Sequence, residues 1–213
     1  MKKQILWMPL ALCVLAGAVM ADPYPLDTCP ISGAKLGKMG DPIVKEMNGQ
    51  EVRFCCKACI AAYEKDPEKA RAKIDAAIVA RQKPHYPLDT CVVLGGKLGA
   101  MGDPVEHVHK NRLVRFCCSG CTSKFNKDPA KFLSKLDEAA KKAQRKSYPL
   151  DTCLVTGEKL GGKPLEIVVA GRLFRLCCKG CVKAVGKDPA KHLALLDKAR
   201  KGEKVEAAGS DHK

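Results

Sequence analysis

Aromatic side chains are scarce in this sequence. Phe, Trp and Tyr together make up 5% of the chain, and the single tryptophan, Trp7, stands close to the N-terminus. A domain of roughly 60 residues with few large apolar side chains buries too little surface to be comfortably stable by itself. Such domains usually need a metal ion or disulfides in addition to their core. The scarcity of aromatics therefore predicts small domains that are held together by a metal or by cross-links.

Recurring catalytic residues and a nucleic-acid-binding pattern are also missing. No carboxylate pair, Ser/His set or phosphate-binding loop recurs along the sequence, so we expect a protein that is not an enzyme. The chain is strongly basic, with 38 Lys and Arg against 23 Asp and Glu. Its basic residues are mixed with acids, and no basic run carries interleaved aromatics. This pattern is typical of solvated surfaces and predicts that nucleic acid is not a partner.

The longest apolar run is short and lies at the N-terminus. Lys2 and Lys3 precede an almost wholly apolar stretch from Ile5 to Met20, and a small-x-small pattern ends at Ala21. The run is shorter than the ~20 residues that a membrane-spanning helix needs. We therefore predict a signal peptide over residues 1–21, a periplasmic or secreted location, and no stable membrane insertion after cleavage. The mature chain would have 192 residues, a net charge of +13 and twelve cysteines.

The mature region is a threefold repeat. The sequence Tyr-Pro-Leu-Asp-Thr-Cys ends at Cys29, Cys91 and Cys153, with a period of 62 residues. A Cys-Cys-x-x-Cys cluster follows each of these lone cysteines, and an Asp-Pro pair stands seven residues after the last cysteine of each cluster. Repetition at a fixed period indicates tandem copies of one structural unit. The predicted boundaries are 22–84, 85–146 and 147–206 for the three modules and 207–213 for a flexible tail.

Local signals predict the same secondary structure in each module. Asn48-Gly49 between two apolar runs is a hairpin turn signal, so the second strand would lead into the cysteine cluster. A first helix should begin at the cluster, and a second at the Asp-Pro pair, because Asp is a good N-cap and Pro suits the first helical position. The predicted fold class is small α+β: three tandem modules, each a β-hairpin followed by two short helices. The segments 81–84 and 142–147 are predicted linkers.

Four cysteines per module are either metal ligands or disulfide partners. Within each cluster, spacings of three and four residues can bring thiols together on a first helical turn, where backbone amides favour the thiolate. Four thiolates suit tetrahedral Zn(II), and two or three suit Cu(I). Disulfides stay open as an alternative, although adjacent cysteines do not readily pair with each other. The predicted ligands are Cys29, Cys55, Cys56, Cys59, Cys91, Cys117, Cys118, Cys121, Cys153, Cys177, Cys178 and Cys181.

The segment from Phe54 to Cys59, followed by Tyr63 and Asp66-Pro67, resembles the YHS and TRASH-type heavy-metal-binding domains. The resemblance extends over all three copies, and it implies a zinc-ribbon or treble-clef-like fold and a role in handling copper or another metal. The sequence lacks the Tyr-His-Ser signature, and Leu176 and Val185 stand where the other copies have aromatics. The resemblance places ligands at Cys29, Cys55, Cys59, Cys91, Cys117, Cys121, Cys153, Cys177 and Cys181. The additional Cys56, Cys118 and Cys178 are either fourth ligands or neighbouring thiols.

These patterns together predict an exported, non-enzymatic soft-metal-binding protein that acts as a buffer or shuttle. About one Cu(I) or Zn(II) ion would bind per module, and the partners would be metal ions and a metal-handling protein. One alternative is a secreted structural or interaction protein held together by disulfides or structural zinc. The other is a thiol–disulfide redox protein, which is disfavoured because the repeat lacks the βαβ setting of thioredoxin-like enzymes.

Several further residues have two interpretations. His107 and His109 could bind Cu(II) or Zn(II), but they have no counterparts in the other modules and are predicted to be solvated or edge-strand residues. Met39 and Met101 could be Cu(I) ligands, but a loop role is preferred because the third module lacks such a residue. Arginine precedes each cluster and either lowers thiol pKa or faces solvent. Three non-repeating histidines are predicted at the surface: His85, His192 and His212.

Overall fold

A computed structural model describes residues 22–209, which form three repeated α+β units. The predicted signal peptide and the last four residues lie outside this range. The strands are β1 (Ile43–Met47), β2 (Gln50–Phe54), β3 (Val105–His109), β4 (Arg112–Phe116), β5 (Leu165–Val169) and β6 (Arg172–Leu176). The helices are α1 (Lys57–Lys65), α2 (Pro67–Gln82), α3 (Gly120–Lys127), α4 (Pro129–Gln144), α5 (Lys179–Lys187) and α6 (Pro189–Arg200). The predicted fold class is confirmed.

Each unit contains one two-stranded antiparallel sheet whose turn fixes its register. In the first hairpin Ile43 stands opposite Phe54, and Asn48 and Gly49 form the turn with φ values of 52° and 78°. Two consecutive residues with positive φ are typical of a type I′ turn, which matches the natural twist of paired strands. The second and third hairpins have the same two-residue turn, although Lys110 and Ala170 there adopt a conformation that is costly for residues with a Cβ.

The two helices of each unit meet at the Asp-Pro pair. Proline occupies the first position of the second helix in all three units. A backbone N–H at this position has no partner within the helix, so its absence in proline costs no helical hydrogen bond. The carboxylates of Asp128 and Asp188 accept hydrogen bonds from the backbone N–H groups of Lys131 and Lys191. Asp66 occupies the same position without a side-chain cap. The first helices are short, as predicted, whereas α2 and α4 each extend over 16 residues.

The core of each unit lies between the hairpin and its helices. In the first unit Phe54 at the end of β2 meets Tyr63 of α1 edge to face, with ring centroids 5.6 Å apart. Phe116 and Phe125 make the equivalent contact at 5.5 Å in the second unit. All four of these rings are fully buried. The core therefore clamps the end of the second strand against the first helix, and the cysteine cluster lies between those two elements.

Consecutive units pack against each other through the second helix. Helix α2 contacts β3 and β4 of the second unit, and α4 contacts β5 and β6 of the third. The side chain of Gln82 donates to the carbonyl of Asn111 (2.7 Å) and accepts from the N–H of Leu113 (2.9 Å). Gln144 makes the same pair of bonds to Gly171 and Leu173 at 2.7 and 3.0 Å. One glutamine thus pairs with the backbone of each following hairpin.

Both glutamines fall in segments that were predicted as linkers. The helices instead continue to Gln82 and Gln144, and a 3-10 turn at Lys83–His85 follows the first of them. Both side chains are buried because they lie between two units. The three units therefore pack together, and their connections are contact surfaces.

The start of the described chain also joins the units. The carboxylate of Asp22 lies 3.1 and 3.2 Å from the guanidinium of Arg112 in the second unit and accepts a short hydrogen bond from the N–H of Ala170 in the third. Only 7% of Asp22 is exposed. Arg112 also pairs with Asp137 of its own unit. An acidic side chain at the start of the first unit is therefore buried against the other two.

The end of the described chain packs against the third unit. The N–H groups of Ala208 and Gly209 donate to the carbonyls of Leu154 and Val155 at 3.0 and 2.8 Å, so this part of the predicted tail lies against the third unit.

Within residues 22–209, every helix is too short or too polar to span a bilayer.

Candidate metal centres

A tight loop presents the lone cysteine of each unit. The N–H of Cys29 donates to the carbonyl of Ala34, and its carbonyl accepts from the N–H of Gly33, at 2.8 and 2.9 Å. Gly33 adopts a φ of 73°, which glycine reaches without a steric cost. The loops at Cys91 and Cys153 repeat both hydrogen bonds. This loop points the lone thiol into the unit, where it is almost completely buried.

The hairpin and the first helix present the cluster. Cys55 follows directly on β2, whose last residue Phe54 is fixed in the core. Cys59 lies in the first turn of α1, four residues further on, so that its thiol returns toward Cys55. Their Sγ atoms are 3.6 Å apart, and the equivalent distances in the other units are 3.8 and 3.5 Å. The predicted convergence of the cluster on a first helical turn is confirmed.

Three sulfur atoms converge in every unit, one from the loop, one from the strand end and one from the helix. Within each triad all Sγ atoms lie within 4.8 Å of one another. The triads are Cys29, Cys55 and Cys59; Cys91, Cys117 and Cys121; and Cys153, Cys177 and Cys181. Among the described residues, these three triads are the groups of potential metal ligands.

The spacing of the sulfurs fits a bound metal ion. Sulfur ligands about 2.3 Å from a metal stand about 3.8 Å apart in a tetrahedral site. The observed contacts include 3.7 Å between Cys91 and Cys121 and 3.6 Å between Cys55 and Cys59. A disulfide would require about 2.05 Å. The donor set of three soft sulfurs and this spacing together suit a soft metal ion in each unit.

The fourth cysteine of each unit stands beside the triad. The Sγ atoms of Cys56, Cys118 and Cys178 lie 3.6, 3.8 and 3.5 Å from the helical cysteine of the triad. They do not belong to the sets whose members all lie within 4.8 Å of one another. Cys56 and Cys118 are half-buried and Cys178 is exposed. The fourth thiol is therefore adjacent to the helical cysteine, and in the first unit also to the strand-end cysteine at 3.9 Å, and it is more exposed than the buried lone cysteine.

Hydrogen bonds to the lone cysteine favour its thiolate. Burial raises the pKa of Cys29, but the backbone N–H groups of Ser32 and Cys55 and the Ser32 hydroxyl outweigh it and lower that pKa to about 6. The same balance of burial and backbone N–H donors lowers the pKa of Cys153 to about 7 and lowers that of Cys91. A thiolate that several N–H groups already solvate is a preorganised metal ligand.

The pKa of the helical cysteine is raised, whereas that of the lone cysteine is lowered. Burial, together with hydrogen bonds to the neighbouring sulfurs, raises the pKa of Cys59 to about 12 and raises that of Cys121 and Cys181 as well. This thiol therefore keeps its proton more readily than an exposed cysteine does. A soft cation at the same place would replace that proton, since metal binding deprotonates thiol ligands.

A hydroxyl group contacts the strand-end cysteine in two of the three units. The Ser32 Oγ lies 3.2 Å from the Sγ of Cys55, and the Thr156 Oγ1 lies 3.5 Å from that of Cys177. The second unit has the exposed Leu94 at this position. These hydroxyls were not predicted from the sequence. The signal that could have identified them is their shared place, three residues after the lone cysteine.

No family model, curated protein or solved structure matches the chain.

The arginine before each cluster packs on a tyrosine of its own unit. The guanidinium carbons of Arg53, Arg115 and Arg175 lie 5.6–5.7 Å from the ring centroids of Tyr24, Tyr86 and Tyr148. A cation over an aromatic face is stabilised by the ring quadrupole. The backbone N–H groups of Arg115 and Arg175 also donate hydrogen bonds to the hydroxyls of Tyr86 and Tyr148. This stacking, which the sequence left open, fastens the start of each repeat to its hairpin.

The histidines lie outside the triads. His107 and His109 are on β3, as predicted, but they are half-buried rather than solvated, with ring centroids 5.6 and 5.3 Å from that of Phe125. Burial lowers the pKa of both imidazoles. The surface prediction is wrong for His192, which is 4% exposed and lies 2.7 Å from the carbonyl of Asp188. His85 is half-buried, and His212 lies outside the described residues.

The exposed methionines occupy the predicted loops. Met39 and Met101 are each 66% exposed and lie between the lone cysteine and the hairpin of their units. Their position agrees with the preferred loop role.

Proposed function

We propose that this chain is a non-enzymatic protein that binds a soft metal ion in each of its three sulfur triads and buffers or shuttles that ion. The main observation that supports this proposal is the convergence of three Sγ atoms within 4.8 Å of one another in all three units. Thiolates select soft ions such as Cu(I) and Zn(II). The threefold repetition of one site, in a sequence where no catalytic set of residues recurs, suits capacity for metal rather than catalysis.

The proposal also includes a cellular location and a protein family. The N-terminal sequence supports export to the periplasm or the exterior of the cell, followed by removal of residues 1–21. The Phe-Cys-Cys-x-x-Cys and Asp-Pro pattern supports kinship with YHS and TRASH-type heavy-metal-binding domains. A metal-handling protein with a similar soft-donor site would be the partner that delivers or receives the ion.

A structural role for the metal is the second candidate. Each triad joins a loop, a strand end and a helix, so a bound ion would hold three elements of a small unit together. Structural sites and exchange sites can use the same ligands, but they differ in what happens when the ion leaves. A structural ion would be needed for folding, whereas a transported ion would leave a folded chain.

Metal stoichiometry tests the proposed function. The reduced chain from Asp22 onward would be loaded with Cu(I) or Zn(II) and analysed for bound metal and for free thiols. We expect three ions per chain, one for each triad, and the loss of one ion in Cys91→Ser. The control Met101→Leu, which changes an exposed sulfur outside the triads, should keep all three. A metal-free, folded chain whose native form contains six disulfides would contradict the proposal.

Removal of the metal separates the two candidates. Circular dichroism would be recorded while a chelator withdraws the ions. Retention of the helical signal supports a buffer or shuttle, and cooperative loss of that signal supports a structural metal.

A further inference from the structure

The fourth cysteine of each unit has a position that the triad by itself does not explain. Cys56, Cys118 and Cys178 recur in all three units, yet their Sγ atoms are outside the converging set of three. Each lies 3.5–3.8 Å from the helical cysteine of the triad, as close as the strand-end cysteine does. In the first unit Cys56 also lies 3.9 Å from Cys55, so it is set apart by its distance from the lone cysteine, whereas the fourth ligand of a tetrahedral ion would be close to all three of the others.

Exposure changes in one direction across each site. The lone cysteine is at most 2% exposed and lies at the inner end. The helical cysteine is also buried, whereas the fourth cysteine is half-buried in two units and exposed in the third. Glycine stands two places after the fourth cysteine in the second and third units, and a Cβ at Gly120 or Gly180 would lie 4.0 or 3.5 Å from the Cys118 or Cys178 Sγ, so no side chain covers the sulfur from this position. The strand-end cysteine is half-buried in the first and third units and buried in the second, so each site extends from a buried lone and helical cysteine to a more accessible fourth cysteine.

We propose that the fourth cysteine is the exchange ligand through which a three-coordinate Cu(I) ion leaves the triad for a thiolate-bearing acceptor protein. This inference rests on the proposed function and names its ion. Three converging sulfurs satisfy Cu(I), whereas Zn(II) in protein sites almost always takes four ligands. The fourth sulfur touches the helical cysteine, so the ion can bond to it while the helical cysteine still holds the ion.

The exchange conserves charge and oxidation state. The fourth sulfur forms a bond to Cu(I) and releases its proton to solvent, and the bond from the ion to the lone cysteine breaks. Two acceptor thiolates then bond to the ion at the surface, and the bonds from the ion to the strand-end, helical and fourth cysteines break. The cysteines that release the ion take up protons from solvent, and copper stays monovalent throughout.

A triple variant tests the exchange ligand. Cys56→Ser, Cys118→Ser and Cys178→Ser would be combined, and the loaded chain mixed with excess bicinchoninate, which forms a coloured Cu(I) complex. We expect the variant to keep three Cu(I) ions and to release them about tenfold more slowly than the unchanged chain. The control variant Met39→Leu with Met101→Leu, which removes the exposed thioethers, should release copper at the unchanged rate.

Two outcomes would overturn the inference. One is release at the unchanged rate from the triple variant. The other is loss of bound copper from it, which would make the fourth cysteine a ligand of the resting site. An X-ray absorption measurement on the unchanged chain gives an independent count, with three sulfur neighbours expected and four contradicting the inference. The single variant Cys178→Ser, at an exposed position, repeats the release test if the triple variant does not fold. A chain that binds no metal at all would overturn the proposed function itself.

Discussion

At the scale of single residues, a hydroxyl group distinguishes the first and third centres from the second. Ser32 and Thr156 contact the strand-end sulfurs of their units, whereas Leu94 at the equivalent position is exposed and makes no such contact. In the second unit the strand-end cysteine, Cys117, is itself buried. The same triad is therefore supported by a hydroxyl hydrogen bond in two units and by closer packing in the other.

The hydroxyl contact leads to a prediction about affinity. In a chain that keeps only the first centre, through Cys91→Ser and Cys153→Ser, we expect Ser32→Leu to lower Cu(I) affinity roughly three- to tenfold, because a charged sulfur loses a hydrogen-bond donor. Competition with a chelator measures the change.

The converse substitution is the matched control. Leu94→Ser, in a chain that keeps only the second centre, should leave affinity unchanged or raise it. Equal affinities of the first centre with and without the Ser32→Leu substitution would show that the contact has no energetic role.

At the scale of elements, each site depends on a junction between strand and helix and on a second helix that begins immediately afterwards. The Asp-Pro pair ends the first helix and starts the second, so the first helix keeps a fixed length of eight or nine residues. This fixed length leaves the buried Tyr63 or its equivalent opposite the end of the second strand. The position of the cluster therefore follows from where the helix stops as well as from where it begins.

The caps of the second helices offer a comparison within one chain. We expect Asp128→Ala to lower the free energy of unfolding by about 1 kcal/mol, because the carboxylate caps the N–H of Lys131. Asp66→Ala should cost less, since Asp66 makes no side-chain cap. Urea denaturation of both variants measures the two costs. Equal costs would indicate that the charge of the aspartate, and not its hydrogen bond, stabilises the helix.

At the scale of the whole molecule, the units are joined by buried polar contacts. Gln82 and Gln144 pair with the backbone of the following hairpin, and Asp22 joins the second and third units. Buried polar groups are costly unless they are hydrogen-bonded, so these contacts specify one arrangement of the units. The three sulfur triads thereby belong to one packed body.

Asp22 predicts a pH dependence of stability. Burial raises its pKa from 3.8 to about 6, although Arg112 and the N–H of Ala170 lower it and Asp137 adds to the rise. The folded chain thus holds this proton more tightly than the unfolded chain. The contribution of Asp22 to stability is then greatest below pH 3.8 and is lost as the pH rises through about 6.

A comparison with Asp22→Asn tests this dependence. The free energies of unfolding of the two chains, at the same metal loading, would be measured from about pH 4 to about pH 7. We expect the stability of the unchanged chain, relative to Asp22→Asn, to fall across this range and to level off at its upper end. Parallel profiles would contradict a raised pKa for Asp22.

The sequence by itself determined the features that depend on near neighbours along the chain. The Asn-Gly turn, the Asp-Pro helix start and the spacing of the cluster specify local backbone geometry, and all three appear in the structure where the sequence predicts them. The repeat of 62 residues carries these features through every unit. Local backbone preferences and short spacings can be read from a sequence because they involve few residues.

Only the tertiary structure decided which sulfurs converge and how the units meet. Cys55 and Cys56 are adjacent, and the Sγ atoms of both lie 3.6 Å from that of Cys59, so the local spacing does not choose between them. The position of the distant loop that bears Cys29 therefore selects Cys55 for the triad and leaves Cys56 beside it. Gln82, Gln144 and Asp22 are buried for the same reason: their partners come from elsewhere in the chain, and a pattern of near neighbours does not specify them.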